Sequence, residues 1–357
     1  MDAVFKEVIA PKSDGLALLD HLAPCIPYLT AKTWHSLLQS GQIEIDGLAV
    51  LDNQVLKVGQ QLKYTIKDYQ EAAVDCNWQL LWEGEDIFAV HKPANLPVSR
   101  TTRNVYNTLI QLVRRESPWP DAHLLHRLDL ETSGIILLAK TKQGAMPWQP
   151  KISQLLGRKI YHAVVYGKPD WSQREFQCDL NTRKDSAIRC QMHVCLEGEK
   201  GKASTTHFKV LSSTGEYSII ECELMSGRKH QIRAHLAHLG LPIVGDKIYG
   251  NKGEFYLKRL EDKVTQEDWH DLKTQHHLLH AHCVQLNLDE NNQLKLFTRD
   301  SLHIVWATQP SAFKAGQNLV AFQTGIGDLQ VWYDEEIYTL AYNTNGGFDV
   351  SDELVTY

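Results

Sequence analysis

The apolar run Ile135-Ile136-Leu137-Leu138-Ala139 constrains this chain most. Five consecutive core-type residues, bounded by polar ones, read as a buried strand. The nine residues before it are His126-Arg127-Leu128-Asp129-Leu130-Glu131-Thr132-Ser133-Gly134. They place Asp129 in a short polar segment at the mouth of that strand, two positions from an arginine. A carboxylate in such a place is suited to act as a nucleophile. The simpler alternative is a turn-capping aspartate paired with Arg127 at the surface, and only the rest of the chain discriminates between the two.

A length of 357 residues allows two or three domains. With 43% hydrophobic and 22% charged residues, the composition is that of an ordinary globular protein. The longest apolar runs fall far short of the ~20 residues a membrane span needs. Met1-Asp2-Ala3 opens no signal peptide, so no membrane partner is expected. The seven cysteines (Cys25, Cys76, Cys178, Cys190, Cys195, Cys222, Cys283) are odd in number and form no CxxC pair. That pattern predicts reduced thiols in the cytoplasm and argues against a disulfide framework or a zinc ribbon. The net charge of −6 argues at first against a polyanionic partner, but the charge is uneven. Lys140–Arg233 holds 16 Lys and Arg against 9 Asp and Glu, whereas Gln285–Tyr357 holds 3 against 10. A basic centre with an acidic tail suits a locally confined nucleic-acid footprint.

The segment HRLDLETSG resembles the catalytic motif of the RluA-type pseudouridine synthases, and further segments agree in order. Phe88-Ala89-Val90-His91-Lys92-Pro93-Ala94-Asn95-Leu96-Pro97-Val98 is similar to that family's first motif, with Asn95 where the family usually has Gly. Lys159-Ile160-Tyr161-His162-Ala163 is similar to its tyrosine-bearing strand. Ser226-Gly227-Arg228-Lys229-His230-Gln231-Ile232-Arg233-Ala234-His235-Leu236, followed by Pro242-Ile243-Val244-Gly245-Asp246 and Tyr249-Gly250, is similar to its arginine-bearing signature. Leu279-His280-Ala281-His282 is similar to its terminal LHA segment. The resemblance covers roughly residues 80–290.

The resemblance implies an RNA isomerase that turns uridine into pseudouridine in structured RNA, ribosomal or transfer, by flipping the base. It implies Asp129 as the catalytic carboxylate, Arg233 as its paired cation, and Tyr161 as the ring that stacks on the flipped base. A guanidinium holds a carboxylate bidentately where lysine cannot, and a dry aspartate needs such a partner to stay ionised. Arg127 is expected to fill the gap left by the flipped base or to contact phosphate. His126, Lys92 and Arg228 are further substrate-binding candidates, Lys92 and Arg228 for phosphate, with a structural role as the alternative for each of these two. Isomerisation exchanges no atoms and no electrons, so neither a cofactor nor a metal is expected. The carboxylate can attack the sugar or remove a sugar proton, and the sequence leaves both routes open.

The expected fold class is α+β, with a mixed, largely antiparallel sheet crossed by an RNA cleft over residues 80–300. Residues 1–70 resemble a small alpha-L RNA-binding domain, with amphipathic stretches at Gly15–Leu22 and Ala31–Gln39. A strand there enters a type I′ turn at Asp46-Gly47. Residues 71–79 read as a linker. Residues 301–357 read as a β-rich appendage of unread role, with strands at 319–323, 329–333 and 337–342. A monomer is expected. Two other classes deserve weighing. His230, His235, His238, His276, His277, His280 and His282 suggest a metal hydrolase, but there is no HExxH, and no carboxylate lies at ligand spacing among His230–His238. A non-catalytic RNA-binding module would be favoured only if Asp129 or Arg233 were absent.

Overall fold

The run at 135–139 forms the middle of a strand, Ser133–Ala139, in which six of seven residues are buried. The computed structural model describes residues 2–287, positions 27, 215 and 262 excepted, and beyond them the strands lying between 293 and 350.

Two compact units divide the chain, the first formed by Met1–Cys76 with Pro97–Ser117, the second by Asn77–Leu96 with Pro118–Tyr357. In the first, strands β1 (Ala3–Val8), β2 (Ile43–Ile45), β3 (Leu48–Ala49) and β4 (Gln61–Ile66) form an antiparallel sheet in the order β1-β4-β2-β3. Asp46 and Gly47 both have positive φ, 52° and 80°, which is the type I′ geometry the sequence predicts between β2 and β3. The helix Ala31–Gln39 is capped by the Thr30 hydroxyl and buries Trp34, Leu37 and Leu38. The excursion Pro97–Ser117 joins this unit through Val105, which lies in its core. The Glu71 carboxylate reinforces it by accepting the backbone N–H groups of Val105, Tyr106 and Asn107.

The second unit is built on an eleven-stranded sheet. Its strands are β5 (Gln79–Glu83), β6 (Ile87–Lys92), β7 (His123–Leu124), β8 (Ser133–Ala139), β9 (Leu156–Tyr166), β10 (Gln173–Asn181), β11 (His193–Val194), β12 (Lys202–Thr214), β13 (Tyr217–Leu224), β14 (Leu279–Asn287) and β15 (Gln293–Phe297). The order is β11-β10-β12-β13-β9-β14-β8-β6-β5, with β15 paired to β14 and β7 to β8. Among these pairs only β8–β14 is parallel. The α+β class and the mixed, largely antiparallel sheet expected from the sequence are therefore present. β6 is buried at all six positions, so both its faces are covered, which fits the apolar run Ile87-Phe88-Ala89-Val90 at its start. Farther along, β16 (Leu302–Trp306), β17 (Asn318–Gln323), β18 (Asp328–Tyr333), β19 (Glu336–Tyr342) and β20 (Phe348–Val350) form a sequential antiparallel sheet. Three of these coincide with the strands expected after residue 301.

The join between β8 and β14 depends on Gly134. Its φ is +108°, and a Cβ there would lie 2.3 Å from the Ala281 carbonyl oxygen and 2.7 Å from the Ala281 nitrogen. Backbone cannot swing aside as a flexible side-chain end can. Gly134→Ala should therefore cost at least about 3 kcal/mol, combining a disfavoured φ with a backbone clash. Urea unfolding of the full chain reads this out, and an unchanged midpoint would show that the two strands can separate freely.

Candidate active site

The site forms where three separate stretches meet at the β8–β14–β9 part of the sheet. The loop from β7 to β8 brings Asp129, the helix Gln231–His238 brings Arg233, and the turn after Gly245 brings Asp246. Local chemistry fixes each stretch. Thr132 N–H bonds the Asp129 carbonyl at 3.3 Å, closing a turn. The Thr132 and Ser133 hydroxyls meet His277 and His280, each at 2.8 Å, tying that turn to the chain leading into β14. The helix is pinned at its start by Gln231, whose amide donates to the Thr205 carbonyl and the Thr206 hydroxyl and accepts from Ser226 and Arg228. Farther along, His235 is fully buried between the Ser204 and Thr206 hydroxyls, at 2.9 and 3.0 Å.

Arg233 is 5% exposed and bridges two carboxylates. Its Nη1 donates to Asp129 Oδ2 at 2.8 Å, while Nε and Nη2 grip Asp246 at 2.7 and 2.9 Å. Asp246 also accepts the N–H groups of Ile248 and Tyr249. Burial alone would raise the Asp246 pKa, but the Arg233 charge outweighs it and holds the group down to about 2. Burial likewise works to raise Asp129, and His230 and Arg233 overcome it, leaving the carboxyl below its ordinary range. His230 itself is pushed down to about 3, first by burial and then by Arg233. It is uncharged at neutral pH, so Arg233 is the cation that keeps Asp129 ionised there. A parallel pair lies two residues on, where Glu131 accepts from Lys247 at 2.9 and 3.1 Å and from Arg259 at 3.1 Å.

Asp129 opens onto a cleft of about 460 Å³ that is also lined by Arg127, His126, Lys159, Tyr161 and Arg228. Its Oδ1 has no hydrogen-bond donor among the described residues, so one oxygen is held and the other faces the cleft. Tyr161 lies in β9, opposite Cys222 of β13 and Ala281 of β14. Its hydroxyl makes no hydrogen bond among the described residues, and burial, with the Asp129 charge, pushes its pKa up. Arg127 is exposed and has no ion pair among the described residues. Arg228 spends Nε on the Ala203 carbonyl and leaves its other N–H groups to the cleft. His126 lines the cleft, but its Nε2 accepts the Leu137 N–H at 3.0 Å, so its proton sits on Nδ1. Burial, with Lys159 adding to it, pushes this imidazole down to about 4.

Lys92 is the correction. It was expected among the substrate-binding residues, yet it is fully buried and does not line the cleft. Its ammonium donates to the carbonyls of Pro93, Leu96 and Leu130 at 2.7, 2.9 and 3.0 Å. Three carbonyls satisfy an ammonium's three N–H bonds, so Lys92 fastens the Lys-Pro turn to the loop carrying Asp129. Asn95, in that turn, takes the left-handed φ of 54° that asparagine tolerates. The sequence reading assigned no role to Asp246, His230, Tyr249 or Lys159. The Gly245-Asp246 motif was visible, but its task as the anchor of Arg233 exists only in three dimensions.

Two predictions follow from these charges. Arg233→Met strands the buried Asp246 and the half-buried Asp129 and should cost about 3 kcal/mol or more near pH 7. Without the cation, burial raises both carboxyls, so the mutant's folded state binds protons first and its deficit against the parent should shrink as pH falls towards 5. A deficit that grows instead would show that the carboxylates are not stranded. The second concerns histidine. Burial, the largest cause in each case, pushes His126, His235, His276 and His277 down to about 4. Between about pH 6.5 and 4 the unfolded chain therefore takes up protons that the folded chain refuses, and stability falls as pH drops through that window. Urea midpoints from pH 7 to 4 should decline throughout, and a flat profile would mean these imidazoles protonate in place.

Comparison with known proteins bears on the family and the fold. Residues 86–238 match the RNA pseudouridylate synthase family, and residues 273–357 match a 10-bladed beta propeller domain. An uncharacterized RNA pseudouridine synthase of Synechocystis is 31% identical over 236 residues, covering 66% of this chain and 80% of that protein. Human pseudouridylate synthase RPUSD2 is 32% identical over 221 residues, covering 61% of this chain and 39% of that protein. Ribosomal large subunit pseudouridine synthase D of Nitrosomonas europaea is 28% identical over 244 residues, covering 66% and 69%. The solved structure of human RNA pseudouridylate synthase domain containing 1 matches with a TM-score of 0.51 at 22% identity, over 65% of this chain and 86% of that one, which shows the shared fold. With the family's motifs carried on the family's fold, the chain belongs to the RluA-type RNA pseudouridine synthases, isomerases that convert uridine to pseudouridine within RNA.

Proposed function

We propose that this enzyme isomerises uridines in structured RNA, large-subunit ribosomal RNA first and transfer RNA second, with Asp129 as its catalytic group. The observation carrying the role of Asp129 is its asymmetry: Arg233 holds Oδ2 at 2.8 Å while Oδ1 faces the cleft without a donor. Held ionised, Oδ1 can attack C1′, forming a C–O bond as the C1′–N1 bond breaks. Alternatively it can remove the 2′ proton to give a glycal. Either way the base rotates and C5 bonds to C1′, as the C1′–O bond breaks in the first route or as the carboxyl returns its proton to C2′ in the second; the C5 proton then leaves and N1 regains a proton, with the carboxylate restored. A stacked uridine cannot reach a half-buried carboxylate, so the nucleotide is flipped into the cleft. Tyr161 supplies the ring for it to lie against, and Arg127, free of protein partners among the described residues, fills the vacated stack or holds phosphate. Arg228 and His126 border the same space. Preference for ribosomal RNA rests on relatives named as large-subunit synthases in Nitrosomonas europaea and Neisseria meningitidis.

Residues 1–70 act as an alpha-L RNA-binding domain in this reading, supported by their helix pair and hairpin. The work takes place in the cytoplasm, supported by seven free cysteines. Among the described residues no helix is long and apolar enough to cross a membrane.

Loss of the C5 hydrogen makes the reaction countable, since RNA labelled with tritium at uridine C5 releases it to water. Asp129→Asn should abolish release while RNA affinity stays within about tenfold, because phosphate contacts and not the carboxylate carry binding. Turnover near the parent's rate would remove Asp129 from this role. Pseudouridine maps of ribosomal and transfer RNA from cells with and without the gene then identify the substrate.

A further inference from the structure

Lys159 lies in β9 two residues before Tyr161, so both side chains leave the same face of the strand and line the same cleft. It is half-buried, yet its ammonium has no hydrogen bond and no ion pair among the described residues. The two fully buried lysines of this unit differ sharply. Lys92 is closed off by three carbonyls and Lys247 by Glu131. Removing an ammonium from water without a partner is unfavourable. The charge is felt within the site: burial lowers the Lys159 pKa with no carboxylate offsetting it, and Lys159 in turn helps hold His126 neutral. Among the described residues nothing compensates this cation, which leaves room for a counter-ion carried by the ligand.

Of the parts of a uridine nucleotide, the uracil and the ribose are neutral before reaction, and the phosphodiester alone carries a full negative charge. We propose that Lys159 is an internal phosphate-binding residue, holding a backbone phosphate next to the flipped uridine while Asp129 works on the sugar. This rests on the isomerase reading of the same cleft. The position is apt, because Asp129, the one carboxylate among the named cleft residues, is held by Arg233, and no carboxylate charge offsets the burial of the ammonium. Lys159 thus fixes the strand direction and depth of the entering nucleotide, a task distinct from the exposed Arg127 and Arg228, which meet RNA at the surface.

The test uses the full chain in the Asp129→Asn background, so that bound RNA is not converted, with and without Lys159→Gln. The probe is labelled, fragmented large-subunit ribosomal RNA, titrated across KCl concentrations. Losing one phosphate contact should reduce the slope of log affinity against log salt by about 0.7–0.9. Affinity at low salt should fall about five- to twentyfold, and Lys159→Arg should restore most of it. Lys159→Met should leave the melting temperature equal or higher, because an uncompensated charge is removed. An unchanged salt slope overturns the proposal, and an unchanged slope with a large loss of turnover in the otherwise native enzyme would assign Lys159 to the uracil instead. A lower melting temperature for Lys159→Met would show an internal structural bond and also overturn it. If the parent binds RNA but releases no tritium, the isomerase reading fails while the salt comparison still decides the phosphate contact. If the parent shows no salt-dependent binding, both fall.

Discussion

The guanidinium of Arg233, shared between Asp129 and Asp246, is the interaction on which the catalytic unit depends. Two carboxylates and one buried cation leave a net charge of −1, with Asp129 as the end that faces the cleft. Desolvating three charges is expensive, and geometry offsets it only because the match is close to ideal: a fork of two N–H bonds to Asp246, a third to Asp129, and two backbone N–H groups closing the far side of Asp246. Lysine has the charge but cannot span both acceptors.

The same logic is repeated one step along. Asp129 and Glu131 are separated by Leu130, and Arg233 and Lys247 answer them from two other parts of the chain. Asp246 and Lys247 are neighbours, so the turn after Gly245 supplies the anion that anchors one cation and is itself the second cation. Loop, helix and turn are stitched together by alternating charges, while Lys92 fastens the other side of the loop through Leu130. His230 joins the arrangement in a left-handed backbone conformation, φ 53°, with Nε2 at 3.8 Å from Asp129 and Nδ1 at 3.2 Å from the Tyr249 hydroxyl. Strained backbone of this kind persists where the surroundings over-determine it. These groups are preorganised around Oδ2 and leave Oδ1 without a donor among the described residues.

Much of this was legible in the sequence, for physical reasons. Apolar runs have few alternatives to a buried strand, so β8 was recognisable from Ile135–Ala139. The Asp46-Gly47 pair demands positive φ at both positions and yields a two-residue hairpin with little dependence on anything distant. Asp129, Tyr161 and Arg233 were picked out by motif, and all three line one cleft. Their environments were a different matter. Lys92 as a short motif residue could be a phosphate ligand or a structural lysine, and only the fold shows three carbonyls converging on it. Pro97–Ser117 is contiguous with catalytic strands in sequence, yet its core contacts, through Val105 and the Glu71 carboxylate, belong to the N-terminal unit.

The sequence by itself determined the local alphabet: which segments are strands and where the tight turn falls. These depend on periodicity, turn stereochemistry and residue type, all short-range properties. Tertiary structure decided how each charge is spent. Asp246 becomes an anchor, Lys92 a fastener, and, among the described residues, Lys159 an uncompensated cation and Asp129 a carboxylate with one oxygen lacking a donor, because of partners that lie 13, 38 or 104 residues away in the chain or are missing from the neighbourhood. Electrostatic roles are set by burial and by partners, and neither is a property of a residue in its sequence neighbourhood.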